Sequence, residues 1–129
     1  EVDLANHYLT DKIDNLTKWQ FPDSSIQISS NGYLLIWCDE DQEDGVFHTN
    51  FKLSSGGEFL ALVHPDGETI LDSITFPPQA EDISYGRIFS SNNEELLPHD
   101  LNNFALSIIF LSFSKSAPPF PAQFIMCEP

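Results

Sequence analysis

Between Val46 and Pro77, apolar and polar positions alternate in short runs broken by glycine-bearing turns. Val46–Leu53 is followed by Ser54-Ser55-Gly56-Gly57, Glu58–His64 by Pro65-Asp66-Gly67, and Glu68–Phe76 by Pro77-Pro78. Runs of this length, rich in β-branched and aromatic residues and bounded by turn formers, predict three strands of an antiparallel meander. In Glu58–His64, Phe59, Ala61 and Val63 face one way and Leu60 and Leu62 the other, so both faces are expected to be covered. In Thr69–Phe76, Ile70, Asp72, Ile74 and Phe76 share a face. A buried Asp72 would then need a polar partner.

The same two-residue period recurs elsewhere. Thr17–Phe21 alternates, with Trp19 and Phe21 on one face and Pro22 closing the run. Ile26 and Ile28 share a face, and Asn31-Gly32 leads into Tyr33–Cys38, whose near-continuous apolar character suits a central strand. Ile83–Ile88 reads as a further strand. Phe104–Phe113 reads as a buried strand, because it is far shorter than the ~20 residues a membrane helix requires. Helical periodicity is weak throughout: Leu96–Leu106 comes nearest, and Pro98 interrupts it. Short strands with turn residues between them predict an all-β domain, a sandwich or barrel, over residues 1–112. The proline-richer stretch 113–129 is expected to be a C-terminal tail or linker.

Composition narrows the partners. The chain has 129 residues, enough for one domain with a real core. Five Lys and Arg against 20 Asp and Glu give a net charge of −15. Such a surface repels nucleic-acid backbones and anionic membranes, so neither nucleic-acid binding nor membrane insertion is expected. Cys38 lies in an apolar run and reads as a buried thiol. A disulfide to Cys127 is left open, since spacing alone does not decide it.

The sharpest electrostatic feature is Asp39–Gly45 (DEDQEDG), five acids in seven residues. Asp39, Asp41, Glu43 and Asp44 form a candidate weak Ca²⁺ site, because hard oxygen donors suit that ion. Against an EF-hand loop, however, Asp44 stands where glycine is needed and Asn50 where a bidentate Glu is needed. A solvated loop is the competing reading. His7, His48, His64 and His99 show no pairing at metal-ligand spacing, and His48 reads as structural. No nucleophile elbow presents Ser54 or Ser55 to His48, so no catalytic residue is expected. No cofactor is expected beyond a possible Ca²⁺. Trp19, Trp37 and Tyr33 would serve as a sugar-stacking platform only if they were exposed.

The order of segments, DLANHYLTD, LTKWQFP, NGYLLIWCDED, FHTNFKLSSGGEFLALVHPDGETILDSITFP and DISYGR, resembles the lamin tail domain, in particular its bacterial members. The resemblance spans Val2–Arg87. It implies an immunoglobulin-like antiparallel β-sandwich without a catalytic centre. The family's usual first strands and its Trp-bearing last strand are not recognisable, so a sandwich lacking one or two N-terminal strands is expected. The function implied is a non-catalytic accessory or interaction module of a larger exported bacterial protein. Its partners would be other domains of that parent protein or cell-surface components. The location implied is extracellular or in the cell envelope, or the nuclear lamina if the chain is eukaryotic. Two alternatives stand beside it: a carbohydrate- or Ca²⁺-dependent binding module, and a fragment of an enzyme whose catalytic domain lies elsewhere.

Overall fold

A computed structural model of the chain describes residues 2–28, 33–79, 85–90, 93–97, 109–111 and 124–128. These residues form an all-β protein. In chain order the strands are β1 (Val2–Asp3), β2 (Tyr8–Thr10), β3 (Trp19–Gln20), β4 (Gln27–Ile28) and β5 (Tyr33–Trp37). A 3₁₀ turn (Gln42–Asp44) precedes β6 (Glu58–Val63) and β7 (Ile70–Phe76). Next come β8 (Tyr85–Ser90), β9 (Asn93–Leu97), β10 (Ile109–Leu111) and β11 (Phe124–Glu128). Among the described residues no helix is long and apolar enough to cross a membrane.

The central sheet is antiparallel, in the order β3-β2-β6-β7. Its β6–β7 hairpin forms where the Pro65-Asp66-Gly67 turn predicts it. Gly67 adopts φ +74, its N–H donates to His64 O at 2.9 Å, and His64 N–H donates to Thr69 O at 2.8 Å. The Asp66 carboxylate accepts the main-chain N–H groups of Glu68 and Thr69 and the Thr69 hydroxyl, at 2.9, 2.8 and 2.6 Å. At the other end of the hairpin, Gly57 has φ +102, and a Cβ there would fall 2.8 Å from Phe76 O. Only glycine fits both constraints.

Burial follows the predicted two-sided pattern in β6, where Leu60, Ala61, Leu62 and Val63 are all buried. In β7 it follows the prediction only in part. Ile74 and Phe76 are buried, but Ile70 and Leu71 are 38% and 46% exposed. The cause is a register shift: Leu62 pairs with Asp72 and Val63 with Ile70, so Leu71 is passed over. A bulge of this kind reverses the side-chain alternation beyond it and turns Ile70 off the core face.

A second sheet has the order β5-β11-β10-β8-β9, and β1 pairs with β4 in a small two-stranded ribbon. One core joins the four-stranded sheet, the ribbon and β5. Leu9, Trp19, Phe21, Leu60, Leu62, Ile74 and Phe76 share a buried cluster with Ile36 and Cys38 and with Leu4 and Ile28. Each fully buried aliphatic or aromatic side chain contributes about 1.5–3 kcal/mol. Trp19 and Phe21 meet edge to face at 4.8 Å, as the shared face predicts.

Two departures from the sequence reading stand out. Residues 113–129, expected as a tail or linker, include β11, which lies between β5 and β10 and runs parallel to both. Parallel neighbours need long connections and leave no turn signal, so nothing local marks this strand. Val46–Leu53 is not a strand. It makes isolated bridges, Trp37 with His48 and Asp39 with Lys52, while Thr49, Phe51 and Leu53 are buried in alternation. Asn93–Leu97 is extended and pairs with β8, in line with the weak helical periodicity from Leu96 onward. Residues 98–108 and 112–123 lie outside the described residues.

Candidate functional site

The acidic loop leaves the end of β5 and doubles back alongside it. Trp37 N–H donates to Phe47 O and Thr49 N–H donates to Trp37 O, both at 2.8 Å, and Glu40 N–H reaches Phe51 O at 3.2 Å. Between these clamps the chain makes its 3₁₀ turn, and His48 N–H returns to Gly45 O at 3.2 Å. Glu40 occupies the left-handed region at φ +61, the conformation that reverses the chain here.

This path brings His48 beside Asp39, with Nδ1 2.6 Å from Oδ2. Asp39 Oδ1 accepts the Asp41 N–H at 3.1 Å, which fixes the carboxylate. The imidazole lies parallel to the Trp37 indole, 10° between planes and 5.9 Å between centroids. Asp44, the last residue of the 3₁₀ turn, completes a group of three: one potential ligand atom each from Asp39, Asp44 and His48, all within 4.8 Å of one another. Asp39 and His48 are half-buried, and Asp44 is exposed.

Of the four carboxylates expected to bind Ca²⁺, Asp39 and Asp44 belong to this group, while Asp41 and Glu43 are exposed and do not. Glu40 instead faces Lys52 across 3.9 Å at the exposed surface, a pair of small energetic value. The sequence reading took His48 as structural; the path of the loop also brings it into this group of potential ligand atoms. The available signal was Asp44-Gly45 followed three residues later by histidine, a turn that returns the imidazole toward the acids.

The other polar side chains of the meander are tied into the frame. Asn50 Nδ2 donates to Lys18 O at 2.8 Å, and the Thr49 hydroxyl donates to Phe51 O at 2.8 Å. Glu58 Oε2 accepts the Ser54 N–H at 2.8 Å, and the Ser54 hydroxyl accepts the Gly56 N–H at 3.2 Å. Desolvation pushes the Glu58 carboxyl above the usual carboxylate range, with the nearby Asp11 adding to the shift and the Ser54 N–H opposing it. Asp3 is held below that range, chiefly by the N–H groups of Ala5 and Ile26 and then by the Ser25 hydroxyl. Asp66 lies well below it, held first by the Thr69 hydroxyl and then by its two main-chain donors.

The remaining histidines separate from the acidic loop. His7 and His64 meet edge to face at 5.9 Å, on the β2–β6 side, and His99 lies outside the described residues. Trp19 is buried, so it offers no stacking platform. Cys38 is buried in the core, and the side chain of Cys127 lies outside the described residues. The loop therefore combines a half-buried carboxylate–imidazole pair with a second, exposed carboxylate, a donor set suited to a cation. No family model matches the chain, and neither a curated protein nor a solved structure matches it.

Proposed function

We propose that this chain is a non-catalytic interaction module of a larger exported bacterial protein, joining that protein to its other domains or to cell-surface components. One observation supports the reading most: several polar side chains of the meander are occupied with main-chain partners. Asn50, Thr49, Glu58 and Asp66 each hold a turn or a crossing segment in place. His48 is paired with Asp39 and not with a serine. Side chains used in this way stabilise a rigid frame and leave its loops to make contacts.

The charge of −15 favours cationic or neutral partners over nucleic acid. The resemblance to the lamin tail domain in Trp19–Phe21, in the meander and in the Ser84-Tyr85-Gly86-Arg87 stretch points the same way. The deciding experiment deletes this domain from the full-length parent protein. The expected result is an unchanged turnover rate per molecule in the purified parent, with loss of the parent from the cell-envelope fraction. A collapse of that rate in the folded deletion protein would refute the non-catalytic reading.

A further inference from the structure

Asp39, Asp44 and His48 come from separate positions along a folded-back loop, just beyond β5, at the end of the 3₁₀ turn and after the Gly45 reversal. We infer that these three residues form a binding site for a borderline divalent transition-metal ion of the zinc type, rather than the calcium loop that the run of acids suggests. The inference concerns a cation site and is independent of the attachment role proposed above.

The donor set comes first. It contains one imidazole nitrogen and two carboxylates, with ligand atoms within 4.8 Å of one another. Ligands held about 2.0–2.2 Å from a common metal ion lie at most about 4.4 Å apart, so the exposed Asp44 side chain swings inward to close the group on the ion. Calcium takes roughly six to eight oxygen ligands, and two of the loop's five acids belong to the group. Imidazole favours zinc and its neighbours over calcium and magnesium.

Preorganisation comes second. Two 2.8 Å main-chain hydrogen bonds between Trp37 and the returning segment set His48 next to Asp39, and stacking on Trp37 orients the imidazole plane. Asp41 N–H holds the Asp39 carboxylate, the kind of supporting contact that orients a ligand. Asp44 is the third arm. Its side chain is exposed, and among the described residues its carboxylate accepts no hydrogen bond, so recruiting it breaks none. With Asp44 at the surface, water completes the coordination. Metal binding replaces the 2.6 Å Asp39–His48 hydrogen bond, and the neutral imidazole ligates through a ring nitrogen that carries no proton.

The 129-residue chain is titrated with zinc chloride and separately with calcium chloride, by calorimetry and by tryptophan emission, since Trp37 stacks on the ligand. One saturable zinc event is expected, with a change in emission and with weaker or no binding of calcium. Asp44→Asn and His48→Gln each weaken zinc binding by more than about tenfold. Asp44→Asn also keeps the wild-type melting temperature, because the residue is exposed. His64→Gln, which alters the separate His7–His64 pair, leaves zinc binding unchanged. The inference is overturned if zinc gives no saturable event, if Asp44→Asn binds zinc as the wild type does, if His64→Gln abolishes binding, or if calcium binds more tightly than zinc.

Discussion

Lys18 reaches from the edge of β3 to Asp11 just beyond β2, with Nζ 2.7 Å from Oδ1, and the carboxylate side chain it meets is only 6% exposed. The same ammonium lies 5.1 Å above the Phe51 ring centre. Lys18→Met keeps the stem but leaves a nearly buried carboxylate without its cation, close to Glu58. Chemical denaturation should show a loss of about 2 kcal/mol. A change below about 0.5 kcal/mol would mean that the pair behaves as an ordinary surface bridge.

Glu58 makes stability depend on pH in the less common direction. Its carboxyl titrates above the usual range in the folded chain, so between the unfolded and folded values the folded state binds more protons. Stability therefore falls as pH rises from about 4.3, the unperturbed glutamate value, through the raised one. Glu58→Gln retains an acceptor for the Ser54 N–H and removes the charge. Urea midpoints measured across this window should be flatter for the variant than for the wild type.

Asp66 acts in the opposite sense. Three hydrogen bonds hold it below the usual carboxylate range, so its contribution is present above about pH 4 and is lost as acid protonates it. Asp66→Ala should be less stable than wild type at neutral pH, and the gap should narrow in acid unfolding followed by circular dichroism. A gap that is constant with pH would assign the turn's stability to packing instead.

Neighbouring glycines separate cleanly. Gly57→Ala places a Cβ 2.8 Å from a main-chain oxygen at φ +102, whereas at Gly56 the nearest atom is the Ser54 hydroxyl at 3.4 Å. The first substitution should cost about 2 kcal/mol or more, and the second should stay within about 0.5 kcal/mol. Paired thermal melts of the two variants give the comparison directly.

Thr10 is fully buried, and its hydroxyl meets Asn15 O at 2.7 Å while accepting Lys12 N–H at 3.0 Å. Thr10→Val preserves shape and strands both partners. A loss of about 1–3 kcal/mol is expected in equilibrium unfolding.

The parts of this fold that were legible are those whose information is local. The β6–β7 hairpin is written in Pro65-Asp66-Gly67, and Trp19 and Phe21 announce their shared face by spacing alone. Val46–Leu53 misled because alternation reports burial: Thr49, Phe51 and Leu53 point inward from a segment that makes only isolated bridges. The bulge at Leu62/Val63 is equally silent, since nothing in either strand marks a skipped residue. At the loop, the acids were conspicuous, but which of them converge depends on a chain reversal. His48 entered the group through the hydrogen bonds that bring it back beside Asp39.

Placement of β11 also sets a timetable. Tyr33–Trp37 finds its neighbour in β11, about ninety residues further on, whose five residues align with it in parallel register from Phe124 opposite Tyr33 to Glu128 opposite Trp37. A chain emerging from the ribosome can assemble the β3-β2-β6-β7 sheet first, but the edge of β5 that pairs with β11 waits until Phe124–Glu128 has been made. Contacts so distant in sequence slow folding and lengthen the exposure of that edge. Translation that stops before Phe124 would therefore release chains with one finished sheet and one open, adhesive strand.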